Sequence, residues 1–202
     1  MLLILTQFKI IIIEQLLKKT NVNCEFTSVD LKNFENKVKP GYSKAKFSNM
    51  ANFYNSLLIA KNADADLIYF VEDDYIHSND AITEMIFSYE KFSTIFENDI
   101  VLLPSDYPYL YTKDDITKIY LGEKYHWRLV SESLVTFMTS QNIIKKNFKQ
   151  LEAMGMEWID PWEKPLHEIY KNNLCLSPLP SLAFHCANIN SVFGVSPNID
   201  LK

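Results

Sequence analysis

Strand and helix alternate through the first half of the chain, and that alternation predicts an α/β fold with a mostly parallel central sheet flanked by helices. Two short unbroken apolar runs, Asp66-Leu-Ile-Tyr-Phe-Val71 and Asp99-Ile-Val-Leu-Leu103, read as buried strands, and apolar stripes at helical spacing precede and separate them. With 202 residues, 48% hydrophobic and 22% charged, the chain holds enough apolar material for one well-buried core. It has no internal repeat, no low-complexity tract and no Gly/Ser linker, so a single domain over residues 1–202 is the simplest organisation.

Taken in order, Met1 to Leu5 and Ile10 to Ile13 are apolar, but Lys9 and Glu14 interrupt them. The runs fall short of the about 20 apolar residues a membrane span needs, and no small-residue cleavage site follows. A short strand and a helix over Gln7 to Lys19 are expected instead, with no transmembrane segment. Val22, Cys24 and Phe26 alternate with polar neighbours, the period of a half-buried strand. Pro40-Gly41 marks a turn. From Ser48 to Asn62, Met50, Phe53, Tyr54, Leu57, Leu58 and Ala60 recur as one helical stripe. Ser78, Asn79 and Asp80 form a capping cluster before a second stripe, Ile82, Met85, Ile86, Tyr89 and Phe92. The second half predicts strands at Trp127 to Val130 and Leu134 to Phe137, helices near Gln141 to Ala153 and Lys164 to Asn172, and a Pro-rich return from Ser177 to Ser181.

Charge and cysteines narrow the function. Twenty basic against 25 acidic residues give a net charge of −5, which offers no general attraction for a phosphate backbone and argues against nucleic acid as a partner. Three cysteines, Cys24, Cys175 and Cys186, show no CxxC spacing and suggest neither a disulfide framework nor a zinc site. A reducing, cytoplasmic setting is expected. No P-loop and no GxGxxG is present.

The most informative residues are Glu72, Asp73 and Asp74, directly after the Asp66 to Val71 run. In open α/β sheets the carboxyl ends of the strands line the ligand crevice, and three adjoining carboxylates there call for a divalent cation. Mg²⁺ or Mn²⁺ bound through one or two carboxylates, while also holding substrate phosphates, is the common arrangement. The plainer alternative is a solvated turn between strand and helix.

The stretch Tyr69-Phe-Val-Glu-Asp-Asp-Tyr-Ile-His77, preceded by the Asn52 to Asn62 helix and Ala63-Asp-Ala-Asp66, resembles the DXD region of the GT-A nucleotide-sugar glycosyltransferases. The resemblance implies a GT-A-like, Rossmann-type sandwich, with residues 1–110 binding the nucleotide sugar and 111–202 binding the acceptor and ending in a tail. It implies Asp74 as a ligand of Mn²⁺ or Mg²⁺, with Glu72 and Asp73 near the ribose or the metal's waters. His185, in Leu182-Ala-Phe-His-Cys-Ala187, is the candidate second metal ligand, with a structural core histidine as the alternative.

An inverting transferase also needs a carboxylate base for the acceptor hydroxyl. In Gly155-Met-Glu-Trp-Ile-Asp-Pro-Trp-Glu163, Asp160 is the first choice, Glu157 the second and Glu163 the third, while Trp158 and Trp162 offer faces to an acceptor sugar ring. An ordinary helix cap with two core tryptophans would read the same way. Asp106, in the Tyr-rich stretch after Leu103, is a candidate acceptor contact, and Arg128, the only arginine, is a candidate bidentate partner for the donor diphosphate or for an acid of the chain itself. The expected activity is sugar transfer from a nucleotide diphosphate donor to a hydroxyl of a glycan or other acceptor. Two alternatives stay open. One is a metal-dependent phosphohydrolase. The other is a non-catalytic sugar- or nucleotide-binding protein, since nothing before the Gln7 to Lys19 helix matches an opening base-binding loop.

Overall fold

The computed structural model describes residues 2–6, 27–35, 43–112, 114, 116–157, 159–188 and 191–193. Its strands are β1 (Leu2–Thr6), β2 (Leu67–Glu72), β3 (Tyr75–His77), β4 (Val101–Leu102), β5 (Ile119–Leu121), β6 (His126–Val130), β7 (Phe137–Ser140), β8 (Cys175–Leu179), β9 (Ala183–Asn188) and β10 (Ser191–Phe193). Its helices are α1 (Lys32–Glu35), α2 (Lys44–Asn62), α3 (Ala81–Phe96), α4 (Gln141–Lys146), α5 (Phe148–Met156) and α6 (Lys164–Tyr170), with a 3₁₀ turn at Pro108–Thr112. The expected 7–19 helix and the Val22 to Phe26 strand lie outside the described residues.

Seven strands form one sheet in the order β1-β2-β7-β4-β8-β6-β5, and β10-β9-β3 form a second, antiparallel sheet. The main sheet is mixed, which corrects the expectation of a mostly parallel one. Only β1–β2 and β4–β8 pair in parallel, and the other four neighbouring pairs are antiparallel. The causes are β7, which inserts between β2 and β4 and runs against both, and β6, which lies between β8 and β5 and runs against both. β1, β2, β4 and β8 nonetheless share one direction, so their carboxyl ends lie along one edge of the sheet.

The apolar run of β2 is buried on both faces because helices cover both. Ile68 and Phe70 enter a cluster with Phe53 and Leu57 of α2, Ile144 of α4, Leu151 of α5 and Leu166 of α6. Tyr69 and Val71 enter the opposite cluster with Met85, Tyr89 and Phe92 of α3. This is the period-2 alternation of a strand between two layers. α2 starts four residues before the expected stripe, because Ser43 caps it by accepting from the Lys46 N–H at 3.3 Å. The expected 141–153 helix is two helices. The break is at Asn147, whose φ of −105° and ψ of 16° leave helical geometry and whose side-chain N–H joins its backbone N–H on the Ile143 carbonyl at 2.9 Å. β7 lies three residues later than the expected Leu134 to Phe137 strand, and the Pro-rich return is largely strand β8. Among the described residues no helix is long and apolar enough to cross a membrane.

A buried carboxylate fixes the far side of the sheet. Glu84, on α3, is 2% exposed, and its Oε1 accepts from Ser88 Oγ, the Glu123 and Tyr125 amides and Trp127 Nε1, while Oε2 accepts from the Lys124 amide. The carboxylate thus receives the donors of the turn between β5 and β6, which replaces the water lost on burial. Gly122 permits the close approach, since a Cβ there would sit 2.4 Å from Ser88 Oγ and Trp127 Nε1. Glu84→Ala should therefore lower the unfolding free energy in urea by about 3 kcal/mol, because it strands the buried indole N–H. Gly122→Ala should cost about 1–3 kcal/mol through overpacking. A Glu84→Ala midpoint equal to that of the wild type would contradict this account.

Candidate metal centre

The acidic run sits where β2 ends, at the edge carrying the parallel strand ends. Glu72 is the last residue of β2, and Asp73 and Asp74 make the turn into β3. β3 then pairs with β9, which places Tyr75 opposite His185 and draws the Cys186 amide onto the Asp74 carbonyl at 2.7 Å. This ladder closes a gap of 111 residues and sets His185 Nε2 3.1 Å from Asp74 Oδ2. One ligand atom each from Glu72, Asp74 and His185 lies within 4.8 Å of the others.

Two neighbours hold the cluster in shape. The Tyr75 ring stacks on the His185 imidazole at 4.5 Å and 10°, and its hydroxyl shares a 2.7 Å hydrogen bond with Tyr107. Thr136, at the head of β7, accepts from the Glu72 amide at 3.1 Å, and its hydroxyl lies 3.4 Å from Glu72 Oε2. Neither Thr136 nor Tyr107 carries a sequence signal that would have marked it.

The electrostatics are those of carboxylates crowded without compensation. Burial pushes the Glu72 carboxyl up to about 7, helped by the charges of Asp74, Glu163 and Asp73 and opposed by Thr136. Asp73 is raised by burial and by Asp74. Asp74 Oδ1 is buried and, among the described residues, meets no hydrogen-bond donor. Two carboxylates and an imidazole form a donor set suited to Mn²⁺, and a buried oxygen left without a donor is the kind a cation satisfies.

The other candidate residues fall in different places. Asp73 is exposed and does not join the cluster. Asp160 and Glu157 are exposed, whereas Glu163 is half-buried at the start of α6, and burial raises its carboxyl. Phe70 and Glu72 share a face by strand alternation, and Phe70 packs in one cluster with Leu166 of α6, which places the Glu163 charge where it raises the Glu72 carboxyl. Trp162 packs edge-on against Phe53 at 5.7 Å and donates its indole N–H to the Met154 carbonyl at 2.8 Å. Trp158 lies outside the described residues. Arg128 and Asp106 are engaged with each other: Asp106 Oδ1 accepts from Nε at 2.9 Å and from Nη2 at 2.6 Å. Tyr111 lies over the guanidinium at 4.2 Å and donates its hydroxyl to Asp106.

The raised Glu72 carboxyl has a consequence for stability. Between its ordinary value of 4.5 and about 7, the folded state binds more protons than the unfolded one, so stability falls as pH rises through that window. Glu163 and Asp73 act with the same sign. With a chelator present, the melting temperature should drop between about pH 5 and about pH 8, and Glu72→Gln should flatten part of that drop. A wild-type profile that rises or stays level across the window would contradict this assignment.

No protein-family model matches the chain, and no curated protein matches its sequence; the geometry of the cluster carries the functional reading alone.

Proposed function

We propose that this protein is a metal-dependent glycosyltransferase moving a sugar from a nucleotide diphosphate donor to a hydroxyl acceptor. The observation that carries the reading is the convergence of Glu72, Asp74 and His185 at the carboxyl end of β2, beside the ends of β1, β4 and β8. That edge is where α/β sheets bind ligands. The order of helix, buried strand, acidic run and capped helix that motivates the resemblance is present as α2, β2, Glu72 to Asp74 and α3, with the short strand β3 between the acids and α3.

Glu72, Asp74 and His185 would hold Mn²⁺ or Mg²⁺. When bound, the ion neutralises charge on the departing diphosphate. The base belongs to the chain itself. Of the three acids in the Gly155 to Glu163 motif, Glu163 alone is half-buried, its charge is felt at Glu72, and burial raises its carboxyl, the direction that makes a carboxylate a better proton acceptor. The acceptor oxygen bonds to the anomeric carbon as the bond from that carbon to the diphosphate oxygen breaks. The hydroxyl proton passes to Glu163, and attack from the side opposite the leaving group inverts the centre.

Calorimetric titration of nucleoside diphosphates with and without Mn²⁺, followed by turnover of whichever nucleotide sugar binds, tests the reading. Asp74→Ala should abolish metal-dependent binding with the fold intact. Glu163→Gln should keep binding and lower kcat by roughly 10²–10⁴-fold, and Asp160→Asn should leave kcat near that of the wild type. Loss of turnover in Asp160→Asn but not in Glu163→Gln would move the base to Asp160. Absence of nucleotide binding under every condition would refute the transferase.

A further inference from the structure

The cluster draws its ligands from two sheets, and one buried hydroxyl touches the supports of both. Thr136 is fully buried at the head of β7, the strand antiparallel to β2. Its Oγ1 accepts from the Glu72 amide at 3.1 Å and lies 3.4 Å from Glu72 Oε2, so the same atom grips the backbone and the carboxylate of one residue. Thr136 also interacts with the Tyr75 phenol, the ring that stacks on His185 at 4.5 Å and is tethered through its hydroxyl to Tyr107. Glu72 from the main sheet and His185 from the small one are therefore indexed to a single side chain. A valine of the same shape would fill the site and offer neither acceptor nor donor.

We infer that Thr136 is a positioning residue of the metal centre, holding Glu72 directly and His185 through Tyr75 in the arrangement that takes up a divalent cation. The inference rests on the metal reading above and adds a part to it. A carboxylate at the end of a strand has free rotamers, and a hydrogen bond from the neighbouring strand removes that freedom before the ion arrives. Partners that orient metal ligands in this way typically change affinity by about 10–100-fold when removed.

The test is isothermal titration of the intact, chelator-treated protein with Mn²⁺ alone, alongside melting temperatures without metal. Thr136→Val should bind Mn²⁺ about 10–100-fold more weakly, and Thr136→Ser, which keeps the hydroxyl and loses the methyl, should bind as the wild type does. In a Glu72→Ala background the step from Thr136 to Val should change affinity less than it does in the wild type, since most of what it positions is already gone; a general loosening of the fold would act equally in both. Thr136→Val binding like the wild type overturns the inference and leaves the metal reading standing. A Thr136→Ser variant that loses affinity also overturns it, and this arm decides even if the valine variant does not fold. A wild-type protein that takes up no Mn²⁺ overturns both.

Discussion

Two carboxylates and an imidazole held within 4.8 Å of one another at a partly dry strand end are an unstable arrangement unless the surrounding chain compels it. Burial, and after it the neighbouring carboxylates, raise the Glu72 carboxyl, and among the described residues one buried oxygen of Asp74 has no donor. Compulsion comes from three directions. β2 delivers Glu72 with its side chain on one face by strand alternation, β9 delivers His185 through its ladder with β3, and Thr136 reaches across from the head of β7. Crowding at such a cost in local electrostatics is the pattern common at functional sites, and the proposed metal centre accounts for it.

The rest of the fold can be traced outward from that cluster. Tyr75 backs His185, Tyr107 backs Tyr75, and the loop carrying Tyr107 is bound to the sheet by the neighbouring Asp106 through its ion pair with Arg128. Ser105 Oγ donates to the Ala183 carbonyl at 2.6 Å, and the Leu182 and Ala183 amides donate to the Pro104 carbonyl, so the loop after β4 and the start of β9 are tied together. Arg128 and Asp106 thus clamp the loop whose Tyr107 backs Tyr75 and, through it, His185. On the other side of the sheet, Glu84 performs the same kind of anchoring for the turn into β6, the strand that carries Arg128.

Much of this was legible in the residues. The β2 run with its acidic end and the α2 and α3 stripes are readable, because burial and helical periodicity are local and the acids are adjacent, whereas His185, 111 residues from Asp74, is joined to it only by the resemblance and by the β3–β9 ladder. Strand direction was not readable. The four residues of β7 are buried throughout, and such a run is compatible with either orientation, so the mixed sheet emerges only from the pairing. Asn147 breaks a helix that apolar spacing continues through, and β8 contains a proline where the sequence suggests a loop. In the 155–163 motif, Asp160 beside Pro161 reads as the helix start, whereas α6 begins at Lys164 and Glu163, not Asp160, is half-buried. Thr136 and Tyr107 left no trace, since a threonine and a tyrosine acquire meaning only from what the fold places beside them.

We propose that one cation is held between the end of β2 and strand β9. A crystal of the protein grown with Mn²⁺, with anomalous diffraction recorded at the manganese edge, tests it without reference to any substrate. The account requires an anomalous peak within bonding distance of Glu72, Asp74 and His185. A peak elsewhere on the molecule, or none at saturating Mn²⁺ with the three side chains in place, would contradict it.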